Sequence, residues 1–303
     1  MSLVVENLSV HTRTGRTILK DCSWQVPTGG RLGIIGESGS GKSMSALAIL
    51  GLLPEGMTAS GSVRLDSEEI LGLGKAQLRH IRGARIAMVF QEPLTALDPL
   101  MKVGRQIAGP LRLHTNLTKA HIQERVHELL TMVALDDTER IAASYPWQLS
   151  GGQRQRVALA MALACEPEVL IADEPTTALD ATVQGEVLNL LSELVEKMGT
   201  TLVFVTHDLP VIAKVAEDLV VMRHGEIIEC TTVAKGLHAP REEYTRQLVE
   251  AALSLSVRAS DLGGCVSDLD VRALERDVQV SDPSARVSDL GVRGESEKAA
   301  LHE

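Results

Sequence analysis

Residues 36–43 read Gly-Glu-Ser-Gly-Ser-Gly-Lys-Ser, and this octet constrains the fold more than any other stretch. It fits G-x-x-x-x-G-K-S, a pattern that works only between a buried strand and the start of a helix. Both flanks read that way. Leu32 to Ile35 is a short apolar run bounded by glycines, and a helix is expected from about Lys42 to Leu53, stopped by Pro54. Glycines at 36, 39 and 41 let the backbone curl, so that successive N–H groups of Glu37, Ser38, Gly39, Ser40 and Gly41 point into one concavity. The helix start adds a partial positive charge. Such a loop binds phosphate oxygens, with Lys42 expected on the β- and γ-phosphates and the Ser43 hydroxyl on Mg²⁺.

Val169 to Ala172 is a second apolar strand, and it ends in Asp173-Glu174. Acids at the end of a buried strand are costly without partners, and a metal-bound phosphate is such a partner. Asp173 is expected to hold the Mg²⁺ hydration shell. Glu174, one residue on, is the expected base for the attacking water. Gln91 follows the strand Ile86–Phe90, where it can touch the Mg²⁺ shell. His207 follows the strand Leu202–Val205, where an imidazole can contact the γ-phosphate and fix the water.

Ser150-Gly151-Gly152-Gln153 opens another helix, expected over Gly151–Ala164. Its exposed N–H groups make a second anion site. One chain has no second phosphate group to offer it, so the natural reading is a dimer in which this site caps the nucleotide held by the other chain.

Composition narrows the class. The chain has 303 residues, 44 % hydrophobic and 23 % charged, which excludes disorder throughout. With two Phe, two Tyr and two Trp there are too few aromatics for base-stacking platforms. A net charge of −10 argues against coating nucleic acid, so no nucleic-acid partner is expected. No run of 18 apolar residues and no secretory leader is evident, which points to the cytosol. Cys22, Cys165, Cys230 and Cys265 form no C-x-x-C pair and are expected as thiols.

Strands alternating with helices imply an α/β fold with a mostly parallel sheet covered on both faces. Residues 103–165 break the alternation. Val126, Leu129, Leu130 and Val133 recur at helical spacing there, as do Val187, Leu190, Leu191 and Leu194 in an expected helix Ala181–Met198. Gly61 to Asp66 reads as an edge strand. Near the C-terminus a phrase repeats at Val266-Ser267-Asp268, Val280-Ser281-Asp282 and Val287-Ser288-Asp289, without sustained period, and reads as a mobile tail from about residue 255.

The P-loop, Gln91, Leu149–Gln153, Asp173-Glu174, Thr177-Ala178-Leu179-Asp180 and His207 together resemble the ATP-binding subunit of an ABC transporter, over about residues 1–250. Within that family the chain is similar to importers of dipeptides, oligopeptides and nickel. The phrases that carry this are Val89 to Pro99, Asp173 to Gln184, and His238-Ala239-Pro240 with Tyr244-Thr245 and Leu248. The resemblance implies a P-loop ATPase domain whose nucleotide-binding core spans residues 1–91 and 165–235, with an antiparallel N-terminal β subdomain. It implies a helical signature subdomain at 92–164 and a C-terminal extension at 236–303. It implies ATP with Mg²⁺, nucleotide contacts that include Asp180, and coupling through Gln91 to the helical insert. The implied partners are a second ATPase subunit, two transmembrane permeases and an extracytoplasmic solute-binding protein, with the chain at the cytoplasmic face of the membrane. A nickel or other small-solute importer, or a non-transport ATPase of the same superfamily, are the alternatives. Two departures from the family stand out. It usually places an aromatic before Gly15 to stack on adenine, where this chain offers His11 or Arg13. Many relatives carry a C-terminal cysteine cluster, whereas Cys265 stands alone here, so no iron–sulfur centre is expected.

Overall fold

The computed structural model describes residues 2–91, 96–177 and 179–261. The repeated Val-Ser-Asp phrases, Cys265, Ala178 and Glu92 to Thr95 of the glutamine-loop phrase lie outside the described residues.

Strand β1 (Ser2–Thr12) pairs antiparallel with β2 (Thr17–Pro27). β3 (Arg31–Ile35) leads into the glycine loop, and α1 (Lys42–Ile49) leaves it. β4 (Met57–Leu65) returns antiparallel to β1, and the short β5 (Glu68–Glu69) pairs with β4. After α2 (Lys75–Ile81) and β6 (Ile86–Val89) come α3 (Val103–His114), α4 (Lys119–Met132), α5 (Thr138–Ala143), a 3₁₀ turn at Pro146–Gln148 and α6 (Gly151–Leu163). Alternation then resumes with β7 (Val169–Asp173), α7 (Ala181–Met198), β8 (Thr201–Thr206), α8 (Leu209–Val215) and β9 (Asp218–Arg223). β10 (Glu226–Thr232), α9 (Val233–His238) and α10 (Glu243–Asp261) complete the described elements.

Two sheets result, one ordered β2-β1-β4-β5 and the other β10-β9-β3-β8-β7-β6. The larger is parallel from β9 through β6, and only the β9–β10 hairpin is antiparallel. Its strands alternate between two cores with the period of a pleated strand. Leu202 and Phe204 of β8 face the core shared with α3, α4, α6 and α7. Val203 and Val205 face the core shared with α1 and the antiparallel sheet. Because both faces are covered, β7 and β8 are buried along their whole length. Phe204 is fully buried, and truncating such a side chain to alanine typically costs about 3–5 kcal/mol.

The structure adjusts several sequence expectations. α1 stops at Ile49 rather than Leu53, because Gly51 takes φ +61° and the chain turns before Pro54 is reached. β4 is longer than expected and is an inner strand, since β5 forms the edge beyond it. β1 and β2 run well beyond the short apolar pair Val4-Val5 and the alternating Trp24-Gln25-Val26. Register shifts between Val5 and His11 break the alternation there. α10 continues past residue 255, where the tail was expected to begin, as far as Asp261. The apolar stripe of α4 behaves as its spacing implies: Val126, Leu129 and Leu130 are buried, as is Val133 at its C-cap.

Candidate nucleotide site

The larger sheet gathers the chemistry at the carboxyl ends of adjacent parallel strands, where ligands bind in open α/β sheets. The glycine loop follows β3, and Asp173-Glu174 closes β7. His207 follows β8, and Gln91 lies just past β6. With the order β3-β8-β7-β6, residues far apart in sequence meet at one rim.

Glycine is a geometric necessity at two loop positions. A Cβ on Gly36 would sit 2.1 Å from the Met222 carbonyl oxygen. Gly41 caps α1 at φ 103°, and a Cβ there would strike Leu19 at 2.4 Å. The loop is tied to β9–β10 by Gly225 N–H donating to the Ser40 carbonyl at 3.0 Å. The N–H groups of Gly39, Gly41, Lys42 and Ser43 make no backbone–backbone hydrogen bond among the described residues. They are donors of the kind a phosphate nest needs, whereas the Ser40 N–H is taken up by the Glu37 carbonyl at 3.1 Å. Ser40 is buried, and its hydroxyl lacks a hydrogen-bond partner among the described residues.

Lys42 is buried and arches over the loop, donating from Nζ to the carbonyls of Gly36 at 2.8 Å and Glu37 at 3.0 Å. Burial pulls its ammonium below the ordinary lysine value, while Glu174 and Asp173 favour the charged form. Ser43 Oγ donates to Asp173 Oδ1 at 3.0 Å. Burial pushes the Asp173 carboxyl above the usual range and Glu174 adds to this; the Ser43 hydrogen bond and Lys42 oppose it. A hydroxyl and a destabilised carboxylate side by side are hard oxygen donors that a small divalent cation would suit. The residues therefore fit Mg²⁺.

Glu174 takes φ +45°, unusual for a residue with a side chain. Its backbone is fixed by its N–H donating to Val205 O at 2.8 Å. Both carboxylate oxygens are engaged. Oε1 lies 2.9 Å from His207 Nδ1, and Oε2 accepts from Gln91 Nε2 at 2.9 Å and Thr177 Oγ1 at 3.1 Å. Sequence reasoning placed Gln91 on the metal shell and His207 on the γ-phosphate; in the structure both side chains hold Glu174. The sequence assigns Thr177 no role, and only the fold brings it to the acid.

Ser150 and Gln153 are engaged with each other. Ser150 Oγ accepts from Gln153 N–H at 3.2 Å, and Gln153 Oε1 accepts from Ser150 N–H at 3.0 Å, a capping box at the start of α6. Gly151 and Gly152 pack beside Leu179 and Val183, and a Cβ on Gly152 would meet Val183 at 2.6 Å. No hydrogen bond joins Ser150–Gln153 to residues 36–43 among the described residues. Asp180 caps α7, its Oδ1 accepting from Val183 N–H at 3.1 Å. At the other candidate contact, His11 pairs with Thr17 at 3.2 Å. Arg13 lines a groove of about 650 Å³ with Thr12, Thr14, Glu55, Gly56 and Met57. No helix among the described residues is long and apolar enough to cross a membrane. Sequence reasoning also quoted Tyr244 without a role, yet its hydroxyl accepts from Glu37 N–H at 3.2 Å.

Comparison with known proteins agrees with this geometry. A family model described as ABC transporter matches residues 19–177. The chain is 46 % identical over 231 residues to a probable peptide ABC transporter ATP-binding protein, y4tR, of Sinorhizobium fredii, covering 76 % of this chain and 69 % of the relative. It is 43 % identical over 266 residues to the glutathione import ATP-binding protein GsiA of Escherichia coli, covering 84 % of this chain but only 42 % of that longer protein. Among solved structures, it resembles the dimeric post-hydrolysis state of the ATP-binding cassette MJ0796 bound to ADP and phosphate. The TM-score is 0.68 at 32 % identity, over 76 % of this chain and 98 % of that one. It also resembles CbiO1 from Clostridium perfringens, part of the transporter complex CbiONQ, with a TM-score of 0.66 at 28 % identity, over 86 % and 96 % of the two chains.

Proposed function

Because the chain belongs to the ABC transporter family as an ATP-binding ATPase, we propose that it energises the import of small peptides. The observation that carries the chemistry is the convergence of Lys42, Ser43, Asp173 and Glu174 at one sheet rim. The solute class is supported by the names of two relatives, one a peptide transporter protein and one an importer of glutathione, itself a small peptide.

The chain's residues divide the work. The amides of Gly39, Gly41, Lys42 and Ser43 and the Lys42 ammonium receive the triphosphate and balance its charge. Ser43 and Asp173 would hold Mg²⁺, which would further neutralise the phosphate oxygens when bound. Glu174 orients the attacking water and takes its proton as the γ-phosphoryl leaves to give ADP and phosphate. His207, Gln91 and Thr177 hold the Glu174 carboxylate from both sides, which lowers the cost of orienting it. Gln91 stands at the entrance to the helical region, so its bond to Glu174 links the acid to the segment expected to meet the permeases. Ser150–Gln153 of one chain covers the triphosphate on a second ATPase subunit, and closure excludes water. Two membrane permeases and an extracytoplasmic solute-binding protein complete the assembly, with this chain at the cytoplasmic face.

The test is uptake of radiolabelled dipeptide by cells carrying the transporter, with wild-type chain or Lys42→Ala. The wild type should import and Lys42→Ala should not. Undiminished uptake with Lys42→Ala, or import of nickel ion in place of peptide, would contradict the proposal.

A further inference from the structure

One peptide unit of the phosphate loop is held from both sides. Its carbonyl, that of Gly36, accepts from Lys42 Nζ at 2.8 Å. Its N–H, that of Glu37, donates to Tyr244 Oη at 3.2 Å. In a trans peptide these groups point in opposite directions within the peptide plane, so Lys42 and Tyr244 grip opposite edges of one peptide unit. Together they fix its rotation about the flanking backbone bonds. The tyrosine lies 207 positions away, near the start of α10.

Tyr244 is itself firmly placed. Its side chain is buried, and the Arg223 guanidinium lies 4.6 Å from the ring centroid. The turn into α10 is anchored by the buried Glu229, whose carboxylate accepts from the N–H groups of Arg241 at 3.1 Å and Glu242 at 3.2 Å. Burial raises the phenol above its ordinary pKa, so the group that meets the Glu37 N–H is the neutral hydroxyl. Arg223 closes β9 and Glu229 lies in β10, so the brace reaches the loop from the strands that also tie down Ser40.

We propose that Tyr244 is a positioning residue whose hydroxyl holds the Gly36–Glu37 peptide, and through it Lys42, in the orientation that receives the triphosphate. This rests on the reading of residues 36–43 as the ATP site. The hydroxyl touches no phosphate and acts through the peptide it holds. A freed peptide would rotate, and the loop would have to be ordered at the moment of binding, which weakens affinity. Hydrolysis of bound ATP should change little, because Glu174 is held by Gln91, Thr177 and His207 instead.

Tyr244→Phe removes the hydroxyl and keeps the ring against Arg223. Calorimetric titration of the full chain with ATP should show Kd raised about three- to tenfold, the range one hydrogen bond spans. In the assembled transporter KM should rise in parallel while kcat stays within about twofold. The melting temperature should stay within about 2 °C of wild type. Wild-type affinity in Tyr244→Phe, or an affinity loss matched by a fall in melting temperature, would overturn the proposal. Lys42→Ala in the same titration separates the two readings. If it binds ATP like wild type, the nucleotide-site reading fails; if it loses ATP while Tyr244→Phe does not, only the tyrosine's role fails.

Discussion

Glu174 Oε1 and His207 Nδ1 lie 2.9 Å apart although 33 positions separate them in sequence. The pairing follows from topology: β7 and β8 are parallel neighbours with Asp173 opposite Val205, so the residues just beyond them meet. The histidine ring is 63 % exposed while the acid is 13 % exposed, so the imidazole sits outside and steadies the carboxylate from the solvent side. His207→Ala should therefore lower kcat by about 10²-fold or more, the scale of a misplaced general base. ATP affinity should stay within about twofold, since Lys42 and the loop amides are untouched. Steady-state ATPase assays and ATP titration check this.

Asp173 is a residue where stability and the proposed activity should oppose each other. Its folded-state pKa is raised, chiefly by burial. Below the unfolded-state pKa both states are protonated and no penalty exists. As pH rises through that value the unfolded chain ionises first and the fold loses stability, and beyond the folded pKa the loss is constant. Asp173→Asn keeps an acceptor oxygen for Ser43 and removes the buried charge. It should raise the melting temperature at pH 7 by roughly 2–4 °C, with the gain fading towards about pH 4, while Mg²⁺-dependent hydrolysis is lost. Thermal melts at the two pH values, without nucleotide, read the effect.

Ser150 caps α6, and the proposed anion site at the same helix start is separable from that cap. Ser150→Ala removes the acceptor of the Gln153 N–H and should cost about 1 kcal/mol. Ser150→Asp retains a good cap and should keep the melting temperature within about 2 °C of wild type. Its carboxylate would face the triphosphate of the second subunit, so ATPase activity should fall at least as far as in Ser150→Ala. Activity that tracks stability across the two variants would mean the serine is a cap only.

Some of this was legible in the sequence because the motifs are local. The octet 36–43 states its own strand–loop–helix context, and α7 spans Ala181–Met198 as its apolar spacing indicates. The acid pair at the end of β7 was readable because the apolar run Val169 to Ala172 precedes it without interruption. What was not readable is long-range. Gln91 is 83 positions from Glu174, and only the adjacency of β6 and β7 joins them. Tyr244 reaches Glu37 through the docking of α10, which no spacing rule encodes. The end of α1 was misjudged locally, since Pro54 is the louder signal but Gly51 turns the chain first. The extents of β1 and β2 are hard to read because bulges interrupt the period-two pattern that would reveal them.

Glu174 is the proposed base at the ATP site. The most direct measurement is phosphate release by the assembled transporter carrying Glu174→Gln, with bound ATP quantified in parallel. ATP should bind at wild-type affinity while phosphate appears at least about 100-fold more slowly. Phosphate release at the wild-type rate from a fully ATP-loaded variant would contradict it.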